Sequence, residues 1–255
     1  MADHWWLLAT AGLFSGLLAG LLGIGGGTVL VPILTALGYV YDQAVATSSL
    51  AIVLTSLSGT IQNWRMGYLD WTRVVYLGLP AVLTAQAGAY LVEQLPDYIK
   101  EAAFGALLIT TIFLVALKKR LINRESEHRQ INPALARLGT GGVAGLLAGL
   151  FGVGGGVIMV PMQMLLLGEK IKVAIQTSLG VIVITAISAT VGHALRDNVL
   201  FFVGVILGLG GLVGAQVSTR FLPKLPDRVV SFFFRLLLAV LAVYFFWQAW
   251  QSYQA

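Results

Sequence analysis

The residues with the clearest chemical potential are glycines. Gly23-Ile24-Gly25-Gly26-Gly27 and Gly152-Val153-Gly154-Gly155-Gly156 each interrupt a long apolar stretch and lead into a short one. Glycine permits positive φ and lets a ligand approach backbone amides closely. A new helix is expected after each run, near Thr28 and near Val157. The first turn of a helix carries unpaired N–H groups and the positive end of the dipole, and together these make an anion site. Gly25, Gly26, Gly27, Gly154, Gly155 and Gly156 therefore offer anion binding by backbone. The competing reading is tight helix packing through small residues. It suits a lone GxxxG better than a duplicated G-x-G-G-G followed by a short apolar limb and a proline. A dinucleotide fingerprint is excluded by context, because no strand precedes either run.

Uncharged donors complete the set. Ser48 and Ser49, and Thr177 and Ser178, open the segment after each glycine run, while Gln86 and Gln216 lie well inside apolar spans. Hydroxyls and amides donate hydrogen bonds to oxyanions without bringing charge, although single Ser or Thr residues in membrane helices more often bond neighbouring helices. His193 and Arg65 end two segments and are candidates for gating or protonation, since His changes charge near neutral pH. An interfacial His and an orientation-setting Arg are the plainer alternatives. No Asp or Glu occupies the middle of a span, so the usual carboxylate proton relay or cation site is missing. The chain has no cysteine, no metal-ligand cluster, no nucleophile–His–acid set and no P-loop. No cofactor, no metal and no enzymatic activity is expected.

The elements that must position these residues are membrane helices. Of 255 residues, 58% are hydrophobic and 11% charged, against about 25% charged in soluble domains. The charges cluster between apolar runs that approach the ~20 residues needed to cross a bilayer. Residues 1–255 read as a single multi-pass membrane domain of an inner cell membrane. The net charge of +5 is read as loop charge that orients the chain, with no nucleic-acid partner. The start of the chain lacks a basic n-region and its apolar stretch recurs later, so it reads as mature structure.

A repeat organises the whole. Gly16 to Pro32 (GLLAGLLGIGGGTVLVP) and Gly145 to Pro161 (GLLAGLFGVGGGVIMVP) agree at 12 of 17 positions, offset by 129. At that offset Ser48-Ser49-Leu50 matches Thr177-Ser178-Leu179 and Trp64 faces His193. One inserted residue later, Gln86 matches Gln216. Residues 5–118 form repeat 1, 119–133 a cytoplasmic linker and 134–250 repeat 2. Each repeat is expected to hold a Gly-broken, re-entrant helix and three spanning helices. With re-entrant breaks, Arg65, Arg73, Lys118, Lys119, Arg120, Arg124, Arg129, Arg137, Lys170, Lys172, Arg220, Lys224 and Arg228 fall on one side. Only Lys100 and Arg196 remain opposite. The positive-inside rule then makes the first side cytoplasmic and the repeats inverted. Inverted repeats with broken helices are characteristic of secondary transporters, with substrate held near the midplane.

The doubled glycine motif, the following ATSSLAIV and IQTSLGVI, and the NWRMGYLDW loop resemble the TauE/SafE family over almost the whole chain. The resemblance implies export or import of sulfur-containing anions such as sulfite, sulfoacetate and other organosulfonates. One departure stands out: His193 and Arg196-Asp197-Asn198 replace Trp64 to Gly67 of the first repeat, so the two loops need not share a gating role. The expected function is a secondary transporter of a small anion working by alternating access in the lipid bilayer. An anion channel and a non-transporting membrane partner are the alternatives, and the oligomeric state, a homo-oligomer included, stays open.

Overall fold

The computed structural model describes residues 5–122 and 132–254, all in helices or short connections, with no strand among them. Residues 123–131 of the linker, with Arg124 and Arg129, lie outside the described residues, as do Met1 to His4 and the side chains of Lys118, Lys119 and Arg120. The helices are α1 (Trp5–Leu22), α2 (Gly27–Ala36), α3 (Tyr41–Arg65), α4 (Trp71–Leu91), α5 (Asp97–Ile122), α6 (Pro133–Phe151), α7 (Gly156–Leu166), α8 (Ile171–Ala194), α9 (Phe201–Phe221) and α10 (Asp227–Gln254). Eight are long and apolar enough to cross a membrane. The other two, α2 and α7, have 10 and 11 residues. At about 1.5 Å per residue they reach halfway through a hydrocarbon core. Leu83, Phe113, Phe202 and Val243 stand exposed along the spans, an apolar exterior that suits lipid and would aggregate in water. The chain is an all-helical, multi-pass membrane protein.

Side-chain contacts sort the helix ends into two groups. At one end Trp5, Leu8 and Tyr39 line a cavity of about 420 Å³ together with Phe201. Lys100 Nζ there meets Asp42 at 2.6 Å and Asp97 at 2.7 Å, Asn198 donates to Glu93, and Tyr98 packs on Tyr253. At the other end Arg73 pairs with Glu169 at 2.8 Å, Lys172 with Asp227 at 3.5 Å, and Arg220 Nε donates to Gln62. Because Trp5 and Tyr39 share a cavity, α2 turns back to the end where α1 began. The Arg73–Glu169 pair likewise returns α7 to the end where α4 begins. There α6 begins as well, since it runs parallel to α4 with Gly141, Gly145 and Gly149 against Leu77, Ala81 and Ala85. Repeat 1 thus opens at the first end and repeat 2 at the second.

The repeats interlock. Helix α1 lies along α9 as α6 lies along α4, with Gly12, Gly16 and Gly20 against Leu207, Gly211 and Ala215. Small residues let these backbones approach closely, the usual basis of helix association in lipid. In the centre α3 packs on α8, and both are buried along most of their length, whereas less than half of each other span is buried.

The repeat register differs from the expected one in a single place. The offset is 129 through α2 and α7, but α3 and α8 begin at Tyr41 and Ile171, an offset of 130. The extra residue sits in the α7–α8 connection, before the Ser/Thr segment and not after it. Ser48 therefore corresponds to Ser178, and Asn63, not Trp64, to His193. The turns that follow agree: Tyr68 N donates to Asn63 O and Asn198 N to His193 O.

Candidate functional site

The two glycine runs meet at the centre of the molecule, antiparallel and backbone to backbone. A Cβ on Gly27 would strike the carbonyl oxygen of Gly152, and one on Gly156 that of Gly23. Gly25, Gly26, Gly154 and Gly155 all adopt positive φ, between 71° and 87°, a conformation costly for residues with a Cβ. The run is glycine because the turn and the close approach both demand it.

Hydroxyl groups occupy the carbonyls of these loops. Ser48 of repeat 1 donates to Gly152 O at 3.0 Å, and Ser178 of repeat 2 donates to Gly23 O at 2.9 Å. Each repeat thereby holds the loop of the other. Ser15 donates to Gly26 O and Thr185 to Gly154 O. The amides fare differently. Among the described residues, the N–H groups of Gly25, Gly26, Gly27 and Thr28, and of Gly154 and Gly155, donate to no protein acceptor. They begin α2 and α7, where a helix leaves its first N–H groups free. The hydroxyl of Thr28 is also fully buried and unpartnered. With the four named carbonyls quenched and these amides unpaired, the loops present themselves to a ligand as donors. Such a surface is matched to an anion.

Ile52 and Ile182 flank this centre. Their methyl groups lie 3.2 to 3.3 Å from where a Cβ on Gly25 would stand, and with Ala186 and Val53 they form a small apolar cluster of their own.

The other expected site residues divide. Gln86 and Gln216 are matched, as their sequence positions suggest, but they tie helices together: Gln86 Nε2 donates to Ser188 O at 2.6 Å, and Ser58 Oγ donates to Gln216 Oε1 at 3.0 Å. Ser49 bonds only Val45 O of its own helix. The Thr177 hydroxyl makes no hydrogen bond to the described residues. Arg65 is exposed at the end of α3. His193 is fully buried near the end of α8, with Nδ1 unpartnered and Nε2 3.1 Å from the carbonyl oxygen of Gly149, three residues before the second glycine run. Ser15, Thr28 and Thr185 join the site without having been singled out for it. The signal for Thr185 was available in its spacing, one turn beyond Ile182 and two beyond Ser178 on the same face of α8.

Residues 8–245 match the family described as sulfite exporter TauE/SafE. The chain belongs to that family. The TauE/SafE match spans both glycine loops and every helix from α1 to α10. Relatives include the probable membrane transporter protein YunE of Bacillus subtilis, 26% identical over 92% of this chain and 94% of its own length. A probable membrane transporter protein of Methanocaldococcus jannaschii is 26% identical over 78% of this chain and 77% of its own. One from Xylella fastidiosa (strain Temecula1) is 25% identical over 93% of each. This TauE/SafE chain is thus a membrane protein of a transporter family.

Proposed function

We propose that this protein is a secondary transporter of a small sulfur oxyanion or organosulfonate, held at the paired glycine loops and moved by alternating access. The observation that carries the reading is the donor character of the loops: buried amides free, carbonyls already hydrogen-bonded. The family's description supplies sulfite as the reference substrate. Sulfite and sulfonates carry three oxygens about one sulfur, so several convergent N–H groups can be used at once. The interlocked repeats supply two halves able to rock against each other around a fixed centre.

Charge supports an orientation. Arg65, Arg73, Lys170, Lys172, Arg220, Lys224 and Arg228 gather at the end where repeat 2 begins, against Lys100 and Arg196 at the other. The end where repeat 2 begins is then the cytoplasmic one on the positive-inside rule, a reading in which the two repeats have inverted topology in the bilayer. A cation carrier fits less well, because no Asp or Glu lies in the middle of a span and the carbonyls of Gly23, Gly26, Gly152 and Gly154 are already hydrogen-bonded.

The substrate class is tested by competition. Uptake of labelled sulfite into proteoliposomes is expected to fall by more than half under excess unlabelled sulfite or sulfoacetate, and to be unaffected by excess chloride. Chloride competing as well as sulfite would replace the oxyanion reading with a general anion pathway.

A further inference from the structure

A second group of unpartnered polar atoms lies between the glycine centre and the end where repeat 2 begins. Asn63 on α3 is fully buried, and neither Nδ2 nor Oδ1 has a hydrogen-bond partner. An unsatisfied buried amide is costly, about 1–3 kcal/mol for each group left unpaired, so its persistence calls for a ligand. Thr60, one turn earlier on the same face, is buried with a free hydroxyl, and so is Thr219 on the facing helix α9. Thr219 Oγ1 lies 3.3 Å from where a Cβ on Gly59 would stand, which sets it against α3 one turn from Asn63. Its neighbour Arg220, next along α9, is exposed. That guanidinium donates to Gln62 Oε1 at 3.3 Å and has no carboxylate partner among the described residues.

Repeat symmetry shows that the arrangement is built twice and then varied. Thr60 and Asn63 correspond to Thr190 and His193, which are also buried and carry unpartnered atoms toward the opposite end. There the neighbouring cation, Arg196, is already engaged with Glu93. The two ends therefore differ in the charge they offer.

We propose that Asn63, Thr60 and Thr219 form a second anion subsite, entered past Arg220, where the oxyanion waits on its way to or from the glycine loops. The proposal rests on the anion-transport reading and adds a place to it. Asn63 Nδ2 and the two threonine hydroxyls donate to the anion, and Arg220 raises its local concentration at the mouth. No carboxylate lies within this group, so nothing repels the ligand once inside.

The test is saturation kinetics of labelled sulfite transport by the full chain in proteoliposomes, with thermal stability recorded for every variant. Asn63→Asp keeps the volume of the side chain but sets a like charge against the anion, and KM is expected to rise at least about ten-fold. Asn63→His installs the residue that repeat 2 carries at the matching position and is expected to keep KM within about two-fold. Thr219→Val is isosteric and removes one donor, with an expected rise of about three-fold or more. If Asn63→Asp does not fold, Thr219→Val and Asn63→His decide the matter alone. Wild-type KM in both Thr219→Val and Asn63→Asp would overturn the subsite while leaving the transporter reading in place. A wild-type protein that moves neither sulfite nor sulfonates would overturn both.

Discussion

Gly27→Ala and Gly156→Ala are each expected to lower the initial transport rate by roughly ten- to a hundredfold, because one methyl group cannot fit between the two loops. At Gly27 the new Cβ would meet Gly152 O, Ile52 Cδ1 at 2.6 Å and Val153 Cα at 2.9 Å. At Gly156 it would meet Gly23 O, Ile182 Cδ1 at 2.8 Å and Ile24 Cα at 2.9 Å. Neither residue has positive φ, so the backbone conformation itself is not strained by alanine. Alanine is in fact the better helix former by about 1 kcal/mol. What remains is overpacking, typically about 1–3 kcal/mol, spent on spreading the two free-amide clusters apart. Gly139→Ala is the control: its Cβ meets nothing within 4 Å, and its rate should equal that of the parent. Rates are to be read in proteoliposomes beside elution profiles, so that a folding defect is seen as one. Parent-like transport in both loop variants would remove the glycine centre from the mechanism.

Lys100→Met is expected to cost about 2–4 kcal/mol of stability, somewhat below the loss for a fully enclosed ion pair. The ammonium group is buried, only 3% exposed, and holds Asp42 and Asp97 together with the Tyr41 ring face. Its removal leaves two carboxylates without their cation. Both are partly open to water, Asp42 by 25% and Asp97 by 50%, which moderates the penalty. Repeat 2 shows how the same junction is solved with the charges exchanged. Lys172 occupies the position of Asp42, Asp227 that of Asp97, and Val230 that of Lys100. The double substitution Asp42→Lys with Lys100→Val copies that solution and is expected to recover at least half of the lost stability. Thermal unfolding in detergent measures both effects. A single variant as stable as the parent would show that the cluster does not anchor α3 to α5.

The glycine loops were legible in the sequence because duplication repeats the motif almost letter for letter, and four glycines in five positions break a helix in any setting. The partners of the loops were harder. Identity of Ser49 with Ser178 and of Leu50 with Leu179 drew the alignment to an offset of 129, whereas the cross-repeat hydrogen bonds use Ser48 and Ser178. The inserted residue falls in a connection without a motif to mark it. Gln86 and Gln216 were recognisable as a pair, but a sequence does not say which way a side chain turns on a buried helix. Their partners Ser58 and Ser188 sit on α3 and α8, and they join one repeat to the other. Asn63 was hidden for a related reason: one residue of misregister set His193 opposite Trp64, so the matched Asn and His went unseen. Ser15 has Ala144 as its counterpart, so repetition could not point to it.

The most direct test of the central claim is counterflow of labelled sulfite into proteoliposomes preloaded with unlabelled sulfite. The chain contains no cysteine, so sulfite cannot react with a disulfide and imitate uptake. A carrier that alternates access at the glycine loops is expected to accumulate label transiently above its equilibrium level, because returning sites are refilled from within. A monotonic approach to equilibrium, with no overshoot for sulfite, thiosulfate or sulfoacetate, would contradict alternating access and leave a passive pathway in its place.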